Sequence, residues 1–239
     1  MPRDEFALLA GAAPDEVAEL LSHGRRRTFA AGEVVFHAGD PADCMHLVRS
    51  GRFAVRISTE FGDVATLNVV GPGDAFGELA LLTPGEPRSA TVAALEAAET
   101  LSVHEIDFRR LRAARPQTDG LLAQLLAARV RRLSGQLVDA LYLPAETRVR
   151  RRLLDVAAAF GGAAPGSSNA DGDGDGGGAA AVSVPLTQEE LASLAGTSRA
   201  TVNRVLREEQ EQGTLELHRG RTTVVDAAEL ERRARGLFG

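Results

Sequence analysis

The spacing of apolar residues changes character several times along the chain. Residues 4–22 place apolar side chains at helical intervals and predict short helices. Between residues 28 and 106, short β-prone runs alternate with turn glycines, which predicts many short antiparallel strands in a small barrel or jelly roll. Helical spacing returns over residues 117–143, Pro144 interrupts it, and residues 146–160 predict a further helix. The pattern therefore predicts a strand-rich N-terminal part followed by helices.

The long predicted helix carries an apolar stripe at alternating intervals of three and four residues. Its positions are Ala123, Leu126, Val130, Leu133, Leu137 and Ala140. This spacing is typical of a coiled-coil seam, so the helix would pair with a second copy of the chain. The alternative is that the stripe packs against the strand-rich domain of its own chain. Arg129, Arg131 and Arg132 fall on the other faces, where we expect a solvated surface.

A segment rich in Gly, Ala, Ser and Asp follows the next predicted helix. This segment, residues 161–181, cannot bury a core and predicts a flexible loop. Its aspartates begin like an EF-hand, but Val182 stands where the bidentate glutamate belongs. No calcium site is predicted.

The region after this loop predicts a winged helix-turn-helix. Thr187 is an N-cap, Glu190 completes its capping box, and Gly196 supplies the turn between two helices. Ser198 caps the second helix, and residues 215–225 predict a hairpin wing.

The side chains of this region suit contacts with double-stranded DNA. The N-terminal part of the second helix would enter the major groove, where arginine binds guanine and asparagine binds adenine through paired hydrogen bonds. The candidates for that surface are Arg199, Ala200, Asn203 and Arg204. The other DNA-binding candidates are Ser198 and, for phosphate contacts, Thr187, Gln188, Arg219 and Arg221. The alternative is an ordinary solvated helix with two arginines.

The two ends of residues 76–90 carry groups suited to an anionic ligand with a sugar. Backbone can approach a phosphate closely because Gly77 has no side chain, and Arg88 adds a charged fork beside the hydroxyl of Ser89. Glu78 would instead accept hydrogen bonds from ribose hydroxyls. The alternative is a turn-rich surface loop with an ion pair between Glu78 and Arg88.

Composition limits these predictions. The 239-residue chain has a net charge of −6 and no lysine, so DNA contacts must come from a local patch of arginines. The single cysteine, Cys44, which we expect to be half-buried, excludes an internal disulfide and a multi-cysteine iron–sulfur site. The five histidines are scattered, and no arrangement of nucleophile, base and orienting group is evident, so we predict neither a metal site nor an enzyme. The N-terminus lacks signal-peptide features and no apolar run approaches the ~20 residues of a membrane helix, so we expect a cytoplasmic protein that makes no membrane contact.

Two segments carry a resemblance to a known family. Residues 76–90 resemble the phosphate-binding cassette of cyclic-nucleotide-binding domains, and residues 197–204 resemble the recognition helix of the cyclic-AMP receptor protein/fumarate-nitrate regulator (CRP/FNR) family. The similarity covers residues 29–225. It implies an α+β fold in three parts, namely an antiparallel β-roll (jelly-roll) cyclic-nucleotide-binding domain at 1–116, a long dimerisation helix at 117–143, and a winged helix-turn-helix domain at 144–239 that contains the flexible loop 161–181.

The resemblance also implies a role for each residue of the cassette. Arg88 and Ser89 would bind the cyclic phosphate, and Glu78 would bind the ribose. Backbone contacts are implied for Gly77, Leu79 and Ala80. On the long helix, Leu133 replaces the family's usual adenine-contacting threonine, and Ser134 beside it can still hydrogen-bond.

The recognition helix departs from the family at one position. Arg199 and Arg204 match its base-reading arginines, but Ala200 replaces the usual glutamate. A methyl group can contact thymine but cannot accept a hydrogen bond from cytosine, so the family's familiar operator is not predicted. The loop at 161–181 is also longer than usual, at a place where the family contacts RNA polymerase.

Together these features predict a homodimeric transcription regulator under allosteric control by a cyclic nucleotide, with cyclic AMP (cAMP) as the first candidate. It would bind near-palindromic DNA and, by the resemblance, RNA polymerase. The alternative is the same DNA-binding regulator with a β-roll that needs no ligand or senses another small molecule. The sequence predicts neither the operator, the target genes nor the direction of regulation.

Overall fold

The computed structural model describes residues 6, 14–58, 64–83, 85–114, 118–161 and 181–235. The chain divides into two units, residues 1–135 and 136–239. Except for its first and last residues, the predicted flexible loop 161–181 lies outside the described residues. So do residues 4, 5 and 7–13 of the predicted N-terminal helices.

The described part of unit 1 contains two four-stranded antiparallel sheets. Their strands are β1 (Arg25–Phe29), β2 (Val34–Phe36), β3 (Cys44–Ser50), β4 (Phe53–Ser58), β5 (Val64–Val70), β6 (Ala75–Phe76), β7 (Thr91–Ala94) and β8 (Ala98–His104). One sheet has the order β1–β8–β3–β6 and the other β2–β7–β4–β5. Buried side chains from both sheets share one core, which includes Phe29, Val48, Phe53, Phe76 and Val92. The predicted antiparallel β-domain is confirmed.

Helices close one side of this domain. They are α1 (Pro14–Ser22), the four-residue α2 (Leu79–Leu82) and α3 (Glu105–Ala114). A second core cluster joins them to β3 through Leu20, Met45, Leu47, Leu81 and Phe108. The sequence pattern extended the last strand to residue 106, which is wrong: the ladder of β8 with β3 ends where His104 faces Cys44, and Glu105 starts α3.

The long helix α4 spans Thr118–Tyr142. Leu122 is buried in the second core cluster of unit 1, whereas the predicted stripe points away from it. Val130, Leu133 and Leu137 are 61%, 56% and 59% exposed. The alternative that the stripe packs against the chain's own strands is therefore wrong, and the stripe is open to a partner.

Unit 2 builds the predicted winged helix-turn-helix. Its elements are α5 (Ala145–Gly161), β9 (Val182–Val184), α6 (Gln188–Ala195), α7 (Arg199–Glu211), β10 (Leu215–His218), β11 (Arg221–Val224) and α8 (Ala227–Arg235). Their core includes Val149, Leu153, Leu191, Val202, Leu206 and Leu230. The sequence did not predict α8, or that β9 pairs with β11 to widen the wing into a three-stranded sheet.

A buried carboxylate ties the recognition helix to its neighbours. Glu209 of α7 is fully buried and accepts hydrogen bonds from Arg150 of α5, Arg233 of α8 and the hydroxyl of Thr214. Burial raises the pKa of Glu209, but these donors outweigh it and leave the pKa below its ordinary value. Charged groups buried in this way are stable only when they are paired, so this cluster fixes the position of α7.

Candidate ligand pocket and nucleic-acid interface

One cavity gathers all six cassette residues predicted to contact a ligand. It has a volume of about 80 Å³. Its lining includes Gly77, Glu78, Leu79, Ala80, Arg88 and Ser89. Phe36 of β2 and Arg129 of α4 also line it. The cavity therefore lies where the end of β6, the short helix α2 and the segment before β7 converge, all within unit 1.

Gly77 is required by its conformation and by the space around it. Its φ is +75°, in the region that favours glycine. A Cβ atom there would also lie 2.7 Å from Nη1 of Arg88 and would push the guanidinium out of place. The glycine thus allows Arg88 to lie against the backbone.

Arg88 is a buried, fixed cation. It is only 6% exposed, and its Nη1 donates to the carbonyl oxygens of Cys44 at 2.7 Å and Gly77 at 3.3 Å. Its Nη2 lies 3.3 Å from Sγ of Cys44 and 3.7 Å from a carboxylate oxygen of Asp43, and the guanidinium stacks 4.1 Å from the centre of the Phe36 ring. Its Nε is buried without a hydrogen-bond partner among the described residues.

Glu78 supplies the opposite charge on the wall of the same cavity. It is 1% exposed, and one of its carboxylate oxygens pairs with Arg129. Its other oxygen is buried and has no hydrogen-bond partner in the described chain. Two residues of the cavity wall therefore carry one buried donor and one buried acceptor that are unsatisfied among the described residues.

Arg129 is the pocket residue that the sequence analysis missed. It was expected on a solvated surface, but it is partly buried between Glu78 and the β-domain. Burial, followed by the nearby charge of Arg132, lowers the pKa of Arg129. The signal was present in the sequence: Leu122, Leu125 and Arg129 recur at intervals of three and four, on the helix face that packs onto the strands.

Ser134 does not join the pocket. It is exposed on α4 and is not among the residues that line the cavity, and Leu133 beside it is exposed as well. The predicted contact from Ser134 to a base is therefore not formed within a single chain.

Behind Arg88 lies a neutral, buried histidine. His46 stacks on Phe76 with ring centres 4.9 Å apart and shares a hydrogen bond of 3.0 Å with Thr100. Burial first, and then the charges of Arg88 and Arg27, lower the pKa of His46 to about 3. His46 is thus a core residue.

Cys44 is half-buried beside Arg88, as expected from the sequence. Its thiol lies 3.6 Å from Nε2 of His46. Burial raises the pKa of this thiol, which keeps it protonated near neutral pH.

In unit 2, the predicted caps hold the two helices of the helix-turn-helix. The hydroxyl of Thr187 accepts from the backbone N–H of Glu190 at 3.2 Å, and the Glu190 carboxylate accepts from the Thr187 N–H at 2.9 Å. Ser198 accepts from the N–H of Thr201, and Gly196 takes a left-handed conformation with φ of +58°. These are the predicted capping box, second cap and turn.

Arg148 at the start of α5 fastens this turn to the end of α4. Its Nε and Nη2 donate to the carbonyls of Ala195 and Gly196, each at 2.9 Å, and its Nη1 donates to Leu143 at 2.7 Å. One guanidinium thus satisfies carbonyl groups at the C-terminal ends of two helices.

The nine predicted DNA-binding residues lie on α6 and α7, at their N-caps and on the wing. Seven are exposed, namely Thr187, Ser198, Arg199, Ala200, Arg204, Arg219 and Arg221. Gln188 and Asn203 are partly buried and hydrogen-bond to each other at 3.2 Å. Arg204 pairs with two carboxylates, Glu146 and Glu208, which the sequence analysis did not identify.

Two further findings apply only to the part of the chain that the structure describes. None of its helices combines the length and apolarity needed to cross a membrane. It also holds no group of three or more His, Cys, Asp or Glu side chains arranged to bind a metal ion.

Two family models match the chain. The model of the cyclic nucleotide-binding domain matches residues 26–115, and that of the Crp-like helix-turn-helix domain matches residues 147–233. The matched ranges contain the cavity residues of the cassette and the whole helix-turn-helix.

Full-length relatives are similar over nearly the entire chain. Identity is 36% to the Cyclic AMP receptor protein of Thermus thermophilus, covering 96% of this chain and 97% of the relative. It is 32% to the CRP-like cAMP-activated global transcriptional regulator of Mycobacterium tuberculosis, covering 95% and 96%. The crystal structure of Thermus thermophilus Catabolite Activator Protein matches with a TM-score of 0.51 at 35% identity, covering 96% of this chain and 99% of that structure. A CRP/FNR-family transcriptional regulator from the same species shares the fold, with a TM-score of 0.67 at 23% identity. This match covers 89% of this chain and 99% of that structure.

Proposed function

Because the chain belongs to the CRP/FNR family of transcription regulators, we propose that it is a homodimer whose DNA binding is controlled by a cyclic nucleotide in the cavity of unit 1. Cyclic AMP is the first candidate effector, since the names of two relatives refer to it. DNA bound by a symmetric dimer would carry two half-sites about one helical turn, ~34 Å, apart on a near-palindrome.

One observation carries the ligand assignment: two buried charged groups of opposite sign line one cavity and each has an unsatisfied atom. These atoms are the second carboxylate oxygen of Glu78 and Nε of Arg88. Leaving a buried charged group unsatisfied costs more than the roughly 1–3 kcal/mol of a neutral one, so such groups call for a partner. A cyclic nucleotide offers anionic oxygens to Arg88 and a hydroxyl donor to Glu78.

The remaining cassette residues would make further contacts with the nucleotide. Ser89 is exposed at the cavity and would donate its hydroxyl to the phosphate. Backbone groups are proposed to contribute at Gly77, Leu79 and Ala80. The surface ion pair between Glu78 and Arg88 that the sequence allowed is replaced by separate pairings, since Glu78 bonds Arg129 and Arg88 bonds the backbone.

The cavity is small for the proposed ligand. About 80 Å³ is well below the roughly 300–1,000 Å³ of typical small-molecule sites. A whole nucleotide therefore requires the wall to move, and the pair that links Arg129 to Glu78 is the contact we expect to change. The Glu78 carboxylate would exchange this pair, in whole or in part, for the ribose.

Titration calorimetry with cAMP and cyclic GMP tests the assignment. We expect cAMP to bind wild type, and Arg88→Ala to weaken binding at least about 100-fold, because charge-assisted hydrogen bonds are worth about 1.5–3 kcal/mol each. Ser89→Ala, an exposed position that does not threaten folding, should weaken binding by about 5- to 10-fold, the worth of about one hydrogen bond. Arg110→Ala on the exposed face of α3 is the matched control.

Absence of cAMP binding to wild type, or equal binding by wild type and Arg88→Ala, would overturn the nucleotide assignment. Circular dichroism of each variant establishes that it is folded before affinities are compared.

The proposed DNA-binding roles are supported by the exposure of seven of the nine candidates in unit 2. Base contacts are proposed for Arg199, Ala200, Asn203 and Arg204, and supporting contacts for Thr187, Gln188, Ser198, Arg219 and Arg221. RNA polymerase is the proposed protein partner, and the cytoplasm, where a bacterial chromosome lies, is the proposed location.

A second candidate function keeps the DNA-binding regulator but gives the β-domain no cyclic nucleotide, or a different small molecule. It is favoured by one observation: neither Leu133 nor Ser134 lines the cavity, so neither of these two residues offers adenine a contact within its own chain. Equal binding of a selected DNA duplex with and without cAMP would support this function over the first.

A further inference from the structure

The guanidinium of Arg204 is held between two carboxylates of unit 2. Its Nη2 lies 2.5 Å from Oε1 of Glu146, in the first turn of α5, and its Nη1 lies 3.3 Å from Oε1 of Glu208, one turn along α7. Hydrogen bonding from Arg204 lowers the pKa of Glu146, so this carboxylate is ionised at neutral pH. Both terminal nitrogens of the arginine are therefore engaged.

An arginine reads guanine with the same nitrogens. Paired hydrogen bonds to O6 and N7 need two free N–H groups that point forward from the fork, and a contact to phosphate needs at least one. A carboxylate also repels the phosphates of an approaching duplex. Each terminal nitrogen keeps a second N–H, but the two carboxylates occupy part of the fork and oppose the approach of DNA. DNA therefore gains the full fork of Arg204 only by displacing it from at least one partner.

We propose that Glu146 withholds Arg204 from DNA and so sets the affinity of the helix-turn-helix below what its arginines could give. This inference rests on the proposed DNA contact of Arg204 and is independent of which effector binds unit 1.

Glu146 is the more specific of the two partners. Glu208 lies on the same helix as Arg204 and is also 3.3 Å from Arg150, so it belongs to the cluster that positions α7. Glu146 comes from a different helix and makes the shorter contact. The competing interpretation is structural: an acidic residue in the first turn of α5 stabilises the helix end and links α5 to α7. That role would affect the unfolding temperature and leave DNA affinity unchanged.

The test compares Glu146→Gln with Glu231→Gln in the full-length chain. Glu231 forms an equally short pair, 2.5 Å, with Arg235 on α8, so both changes remove one negative charge and one exposed ion pair from unit 2. Fluorescence anisotropy would measure binding to a labelled duplex selected by the wild-type protein from a random pool, and to an unrelated duplex of the same length, with and without cAMP.

We expect Glu146→Gln to bind both duplexes about two- to fivefold more tightly, the range set by a partly exposed ion pair. The plot of log K against log salt should steepen by up to about 0.9, because one more cation is available to DNA. Glu231→Gln should match wild type within about 1.5-fold, since surface changes away from the interface have small effects.

Arg204→Ala separates this inference from the role on which it rests. If Arg204 contacts DNA, Arg204→Ala weakens binding, and adding Glu146→Gln to it restores less affinity than Glu146→Gln adds to wild type. If Arg204→Ala leaves affinity unchanged, the DNA contact of Arg204 is wrong and the inference fails with it. If Arg204→Ala weakens binding but Glu146→Gln equals wild type or binds more weakly, the contact stands and the withholding role is overturned.

Discussion

His46 should make unit 1 lose stability as the pH falls from 7 to 5. The ring is 5% exposed, packed on Phe76 and bonded to Thr100, and this environment holds its folded-state pKa at about 3. The charges that face it are Arg88 and Arg27, which oppose protonation, together with Asp43, which favours it but is outweighed.

The direction and size of this change in stability follow from the linkage between proton binding and folding. An unfolded histidine titrates near 6.5, so between pH 6.5 and 3 the unfolded chain binds a proton that the folded chain does not. Stability therefore falls as the pH drops through 6.5 and stops falling, as far as His46 is concerned, below about 3. With about 1.36 kcal/mol per pKa unit, a single such histidine costs about 2 kcal/mol between pH 7 and pH 5.

Urea unfolding at pH 7 and pH 5 checks this, with wild type compared against His46→Gln. Glutamine keeps a hydrogen-bonding side chain near Thr100 and cannot titrate, so its loss of stability over this range should be smaller by about 2 kcal/mol. His37→Gln, at an exposed histidine of the same unit, should behave like wild type. A pH dependence shared by His46→Gln and wild type, or NMR signals of the His46 ring that titrate near 6.5, would contradict the depressed pKa of His46.

Two further predictions concern α4 and the turn of the helix-turn-helix. Leu137→Asp should convert a dimer of about twice the 25.2 kDa chain mass into monomer in light scattering, because it puts a charge into the proposed seam. Gly135→Asp, on the opposite face of α4 where a side chain meets nothing within 4 Å, should remain dimeric, and a dimeric Leu137→Asp would contradict the seam. Arg148→Met should lower the free energy of unfolding of unit 2 by about 2–4 kcal/mol in urea, because it strips charged donors from three carbonyls. Arg207→Met at an exposed position of α7 is the control, and equal stability of the two variants would rule out this role.

The parts of the fold that sequence predicted well are those decided by neighbours in the chain. The Thr187–Glu190 capping box and the Gly196 turn depend on residues three or four apart, and both are confirmed. The cassette was recognisable for the same reason, since Gly77 and Arg88 lie in one short segment. The structure then brings them together at one cavity.

The parts that sequence missed depend on contacts between distant segments. Arg129 reaches Glu78 across 51 positions, and Arg204 reaches Glu146 across 58. The spacing of the arginines along the sequence does not indicate which of them will pair with a carboxylate from a distant segment. Pairing of β9 with β11 was hidden likewise, because a three-residue strand after a long polar segment has little periodicity of its own.

The exposed seam and the incomplete pocket bear on each other. Leu133 and Leu137 leave an apolar stripe uncovered on α4, and Ser134 sits beside that stripe, outside the cavity of its own chain. A second α4 packed along the stripe would cover the leucines and bring further polar groups of that helix toward the ligand. Dimerisation and nucleotide binding should then be linked, so that a monomeric Leu137→Asp protein binds cAMP more weakly although Leu137 does not line the cavity. Undiminished binding by that monomer would instead mean that unit 1 of a single chain supplies every contact the nucleotide needs.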